Sequence, residues 1–128
     1  EGSSLLFLGE ESADEKVRRF GGLCADLTPA ERLKVTQRIR AFPAIGKDLR
    51  VTQTLAGDPH PTGFADEIIR LSLAHKEVSG IELSFIVLDH TRLFMSGDPN
   101  AADDVSQLTR VLAKIANATQ AVVVLIAH

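Results

Sequence analysis

Apolar residues in this chain follow two rhythms. In one they form short unbroken runs: Leu5-Leu6-Phe7-Leu8, Phe85-Ile86-Val87-Leu88, and the seven residues from Ala121 to Ala127. A run of this length reads as a strand buried on both faces, as in a parallel sheet covered by helices on each side. In the other rhythm, apolar residues recur every three or four positions. Val17, Phe20 and Leu23 do so in Ala13 to Leu23, and Phe64, Ile68, Leu71 and Val78 do so in Phe64 to Val78. Val105, Leu108, Leu112 and Ile115 repeat the pattern in Asp103 to Ala118. Each of these three stretches is expected to be an amphipathic helix.

Local signals set the boundaries. Asp14 and Glu15 fall in the first turn of the first helix, where acids complement the dipole. Thr28-Pro29-Ala30-Glu31 supplies a cap, a proline at the first helical position and the acid of a capping box. The helix it opens is expected to carry Leu33, Val35, Ile39 and Phe42 and to stop at Pro43. Leu49, Val51 and Thr52 suggest a short strand between Gly46 and Leu55, and Gly57 to Gly63 reads as a loop. Ser79-Gly80 ends the next helix, Leu83 to Leu88 is a strand, and His90 to Asn100 is a loop centred on Ser96-Gly97-Asp98-Pro99-Asn100. The strand from Ala121 to Ala127 is expected to be the most buried and central. Strand, helix and strand in this order make right-handed βαβ crossovers. The fold class is therefore α/β with a mainly parallel sheet. Residues 1–128 are expected to form one domain, and a chain that opens and closes on strands is expected to be a piece of a longer one.

Composition narrows the function classes. At 45% hydrophobic the chain can build a sizeable core. A net charge of −3 gives no sign of a strongly basic nucleic-acid surface, and there is no Trp or Tyr to stack on bases. The single cysteine, Cys24, excludes an internal disulfide and reads as a small helix-face hydrophobe. No apolar run approaches the roughly 18 residues of a membrane span, so a cytoplasmic protein with no membrane partner is expected.

Candidate chemistry gathers at strand ends. Leu8 leads to Glu10 and Glu11, Leu88 to Asp89, and Ala127 to His128. In an open parallel sheet these carboxyl ends share one edge, where ligands bind. An apolar strand ending in Asp is also the form of a Walker B strand, whose carboxylate holds Mg²⁺. Each residue also has a plainer role open to it, as a helix-starting acid or a surface histidine. A metal site at His90 and Asp89 is not expected, since neighbouring residues of a strand point opposite ways. His75 is expected on a helix surface, and His60 in a loop.

These segments resemble the RecA-like P-loop ATPases, above all the hexameric replicative helicases of the plasmid RepA and DnaB type, over nearly the whole chain. Leu6-Phe7-Leu8-Gly9-Glu10-Glu11-Ser12 resembles the family's second strand, and Arg18-Arg19-Phe20 its Arg-Arg-Leu helix. Leu27-Thr28-Pro29-Ala30-Glu31-Arg32 is similar to an insertion of RepA-type sequences. Ile86-Val87-Leu88-Asp89-His90-Thr91-Arg92-Leu93-Phe94 is similar to the Walker B segment and its trailing Arg-x-Phe, and Val123 to His128 to the strand ending in a family His. The resemblance implies Glu10 as the general base, with Glu11 as the alternative. It implies Asp89 on Mg²⁺, His128 as a sensor of the γ-phosphate, and Arg92 either on phosphate or DNA or in a salt bridge. It further implies ATP as substrate, a homo-hexamer, and single-stranded DNA gripped by loops outside these residues. The pattern G-x-x-x-x-G-K-[ST] does not occur in residues 1–128. The phosphate loop is expected just before Glu1 and the arginine finger after His128, so the chain by itself is expected neither to bind ATP tightly nor to hydrolyse it. Two alternatives remain at this point: a regulatory or recombination ATPase without helicase activity, and a binding or assembly module without the phosphate loop.

Overall fold

The computed structural model describes residues 2–127. Four parallel strands form the main sheet, in the order β2-β1-β5-β6. They are β1 (Ser3–Leu8), β2 (Ile39–Pro43), β5 (Leu83–Asp89) and β6 (Val122–Ile126). A separate antiparallel hairpin pairs β3 (Thr52–Leu55) with β4 (Asp58–Pro61). The helices are α1 (Ala13–Leu23), α2 (Pro29–Arg38), α3 (Gly63–Ser79), the short α4 (Thr91–Phe94) and α5 (Ala102–Thr119). The expected α/β class with a mainly parallel sheet is what the chain adopts.

Alternation along the strands divides the sheet into two faces. On one, Leu5, Phe7, Ile86 and Leu88 are buried under α3 and α5, joined by Ile68, Val111 and Ile115 from those helices. Phe7 stacks on Phe42 with ring centroids 4.9 Å apart and meets Phe64 edge-on at 6.3 Å. Each fully buried Leu, Ile or Phe contributes roughly 1.5–3 kcal/mol, so this face carries most of the stability. On the other face α1 and α2 cover only the β2 side. They leave a cleft of about 370 Å³ whose lining includes Val17, Phe20, Cys24, Val35 and Ile39. Farther along that face Phe85, Val122, Val124 and Ile126 are exposed.

Four expectations are corrected here. The stretch from Thr28 is not helical as far as Phe42: α2 ends at Arg38 and Ile39–Pro43 pairs with β1 as β2. Ile39 and Phe42 lie on opposite faces of that strand, and the Arg40 guanidinium sits 5.0 Å above the Phe42 ring. The segment read as a loop between Gly57 and Gly63 contains β4. β6, expected at the centre, has β5 as its one partner among the described residues, and its side chains alternate between half-buried and exposed. His75, expected on the surface, is buried: its Nε2 lies 3.2 Å from Ser3 Oγ, which is 3.2 Å from the Glu82 carbonyl oxygen. Burial, with the positive Arg40 nearby, pushes the His75 pKa below its ordinary value of 6.5.

Candidate functional site

The order of the sheet locates the site. From β1 the chain moves to β2 on one side, then crosses back to β5 on the other side of β1 and continues to β6. The crevice at the carboxyl ends of β1 and β5 is thus a point where winding reverses, the place where open α/β sheets bind ligands. Register brings the ends level: Leu8 is opposite Pro43 and Asp89, and Asp89 is opposite Ile126. Glu10 and Asp89 therefore share one rim, as the sequence pattern implies. His128 lies outside the described residues, although the strand leading to it ends on the same rim.

Gly9 makes the β1–β5 junction tight. Its N–H donates to the Asp89 carbonyl over 3.0 Å. A Cβ at this position would lie 2.3 Å from Leu93 Cδ1, 3.1 Å from Leu49 Cδ1 and 3.2 Å from the Asp89 carbonyl oxygen. No other side chain fits without displacing these neighbours. The next strand end is tied in as well, because Thr91 Oγ1 donates to the Ile126 carbonyl over 3.0 Å.

The two adjacent glutamates point to different places. Ser12 caps α1 in a reciprocal capping box with Glu15, so α1 begins immediately after Glu11. The Glu11 carboxylate turns back along that helix to pair with Arg19 and is 14% exposed. The Glu10 carboxylate faces β5: its Oε1 is 3.0 Å from His90 Nε2. Glu10 is 70% exposed and His90 12%, so an open carboxylate is held by a largely buried imidazole. Sequence reasoning missed this contact. His90 follows the last residue of β5 and precedes α4, so strand alternation does not govern its direction.

Asp89 shares its sheet face with Phe85 and Val87. Mg²⁺ bound beside a nucleotide takes one or two protein carboxylates, with phosphate oxygens and water completing its shell. One Asp on the carboxyl rim of the sheet fits that chemistry. Among the described residues no three His, Cys, Asp or Glu side chains converge as a metal cage. Arg92 lies on α4, exposed, in a polar cleft of about 450 Å³ with Met95, Gly97, Asp98, Pro99 and Asn100. It makes no ion pair with another described residue. Loop geometry shapes that cleft: Gly97 adopts a φ of 90° against the Asp104 carboxylate, which accepts from the Asp98 N–H over 2.9 Å.

A parallel sheet wound in both directions, with acids on its carboxyl rim, is an α/β architecture that binds ligands at that rim. The family model described as AAA domain matches residues 1–128, and the chain belongs to that family. Membership implies nucleotide binding and an ATPase type of function. A comparison with curated proteins returned no match. Among the described residues no helix is long and apolar enough to cross a membrane.

Proposed function

We propose that residues 1–128 belong to the ATP-hydrolysing motor core of a DNA helicase of the RepA/DnaB type, working as a ring of identical subunits. The observation that carries this is the common rim: Leu8, Asp89 and Ile126 end in register, with Glu10 turned toward the end of β5. Asp89 would hold Mg²⁺, which when bound neutralises charge on the phosphate oxygens. Glu10 accepts a proton from the attacking water as the water oxygen bonds to the γ-phosphorus. The bond from that phosphorus to the bridging oxygen breaks, and its electron pair leaves with ADP. Glu11 is engaged by Arg19, which supports Glu10 as the base. Arg92, exposed beside the same rim, suits a nucleotide phosphate or a strand of DNA. His128 is assigned by resemblance as the sensor of the γ-phosphate.

The test uses the full-length protein. Asp89→Asn is expected to lower Mg²⁺-dependent ATP hydrolysis by about 100-fold or more, within the range for loss of an electrostatic stabiliser. Hydrolysis that persists at the wild-type rate would refute the role of Asp89. Displacement of a DNA strand driven by ATP separates a helicase from a regulatory or recombination ATPase. The net charge of −3 favours that second reading, since it offers no broad basic surface for DNA.

A further inference from the structure

We infer that His90 is a positioning residue that aims the Glu10 carboxylate at the attacking water, an inference that rests on the ATPase assignment above. Glu10 lies in the turn after β1 with most of its side chain in solvent. An exposed glutamate samples many rotamers, and a general base works only when held within hydrogen-bond reach of the proton it takes. His90 supplies the constraint. Its Nε2 is 3.0 Å from Glu10 Oε1, and its ring is largely buried.

The mount beneath the imidazole is firm. The His90 carbonyl accepts from the Leu93 N–H over 3.0 Å, closing the turn into α4. The residues on either side of His90 are each bonded to a neighbouring strand end, Asp89 to Gly9 and Thr91 to Ile126. One side chain thereby fixes the separation between the carboxylate assigned to the water and the carboxylate assigned to the metal. The second oxygen of Glu10 remains for the water, because His90 engages Oε1 alone. His90 acts through Glu10 and is not assigned a contact with substrate.

Steady-state ATP hydrolysis by the full-length protein tests this. His90→Ala is expected to lower kcat about 10- to 100-fold while KM and nucleotide affinity stay within about twofold, since only the aim of the base is lost. His90→Gln, which keeps an N–H donor, is expected to recover part of the loss. In a Glu10→Gln background the His90→Ala change is expected to add nothing, because the two act as a unit. If His90→Ala lowers the urea midpoint, His90→Leu takes its place as a variant of similar bulk without a donor. A wild-type kcat in the donor-less variant would overturn the inference, as would an equal loss in the Glu10→Gln background or a change confined to KM. A wild-type protein that fails to hydrolyse ATP removes the ATPase assignment itself, a distinct result.

Discussion

Adding one methyl group at Gly9 probes the junction on which the rim depends. In Gly9→Ala the new Cβ would sit 2.3 Å from Leu93 Cδ1, where carbon atoms in contact are normally ~3.5–4.0 Å apart. Leu93 has to move by more than an ångström. Leu93 is half-buried and can turn, but the new Cβ has little room to shift away from it, with Leu49 Cδ1 at 3.1 Å and the Asp89 carbonyl oxygen at 3.2 Å. Overpacking of this kind costs typically 1–3 kcal/mol. Against it, alanine restricts the unfolded chain and returns about 0.4–1 kcal/mol. The net expectation is a loss of about 1.5 kcal/mol. With a urea m-value near 2 kcal/mol/M, that lowers the unfolding midpoint by about 0.7 M at unchanged m. Leu93→Ala in the same chain should reduce the penalty of the new methyl, so the double variant is expected to be more stable than the sum of the singles. A Gly9→Ala protein as stable as wild type, or strict additivity with Leu93→Ala, would show that the close approach at Gly9 does not constrain the two strand ends.

Two further outcomes follow from particular side chains. Because the folded-state pKa of His75 lies below its ordinary 6.5, unfolded chains bind a proton there before folded ones do. Its contribution is whole above pH ~6.5 and declines as the pH falls below that value, so His75→Gln should flatten the stability profile in acid; an unchanged profile by urea titration would refute it. Glu11→Gln removes the charge that pairs with Arg19, and in the full-length protein it is expected to leave ATP turnover within about threefold of wild type, an ion pair open to solvent at its Arg19 end contributing ~1 kcal/mol or less. A loss as deep as that of Glu10→Gln would move the base to Glu11.

The sequence makes some of these features legible and hides others for identifiable reasons. Long periodic helices and apolar runs disclose the layer order, and Thr28 and Glu31 form the capping box that their spacing announces. Ile39 and Phe42 misled because residues three apart suit a helix face, whereas here they occupy opposite faces of an edge strand closed by Pro43. On α3 the buried stripe is Ala65, Ile68, Ser72 and His75, while Val78 is 89% exposed. Two polar residues lie on the covered side: Ser72 bonds back to the Ile68 carbonyl and His75 meets Ser3. Hydrophobic periodicity cannot register such residues. At the site, the shared rim of Glu10 and Asp89 is readable from strand ends, but the different directions taken by the two adjacent glutamates are not. They depend on Arg19, a full two turns along α1. The contact of His90 with Glu10 joins residues 80 positions apart and leaves no local signature.

Among the described residues β6 is paired on one side only, and that has a practical consequence. Val122-Val123-Val124-Leu125-Ile126 contains no charge and no proline, the residues that usually deter strand-to-strand recruitment. Its outward side chains are open to solvent, and its backbone is bonded on one side by β5. At high concentration this ribbon is the natural seed for stacking copies of the chain on each other. Clouding of a concentrated sample should therefore be countered by a lysine at Val124 sooner than by any change in the buried interior.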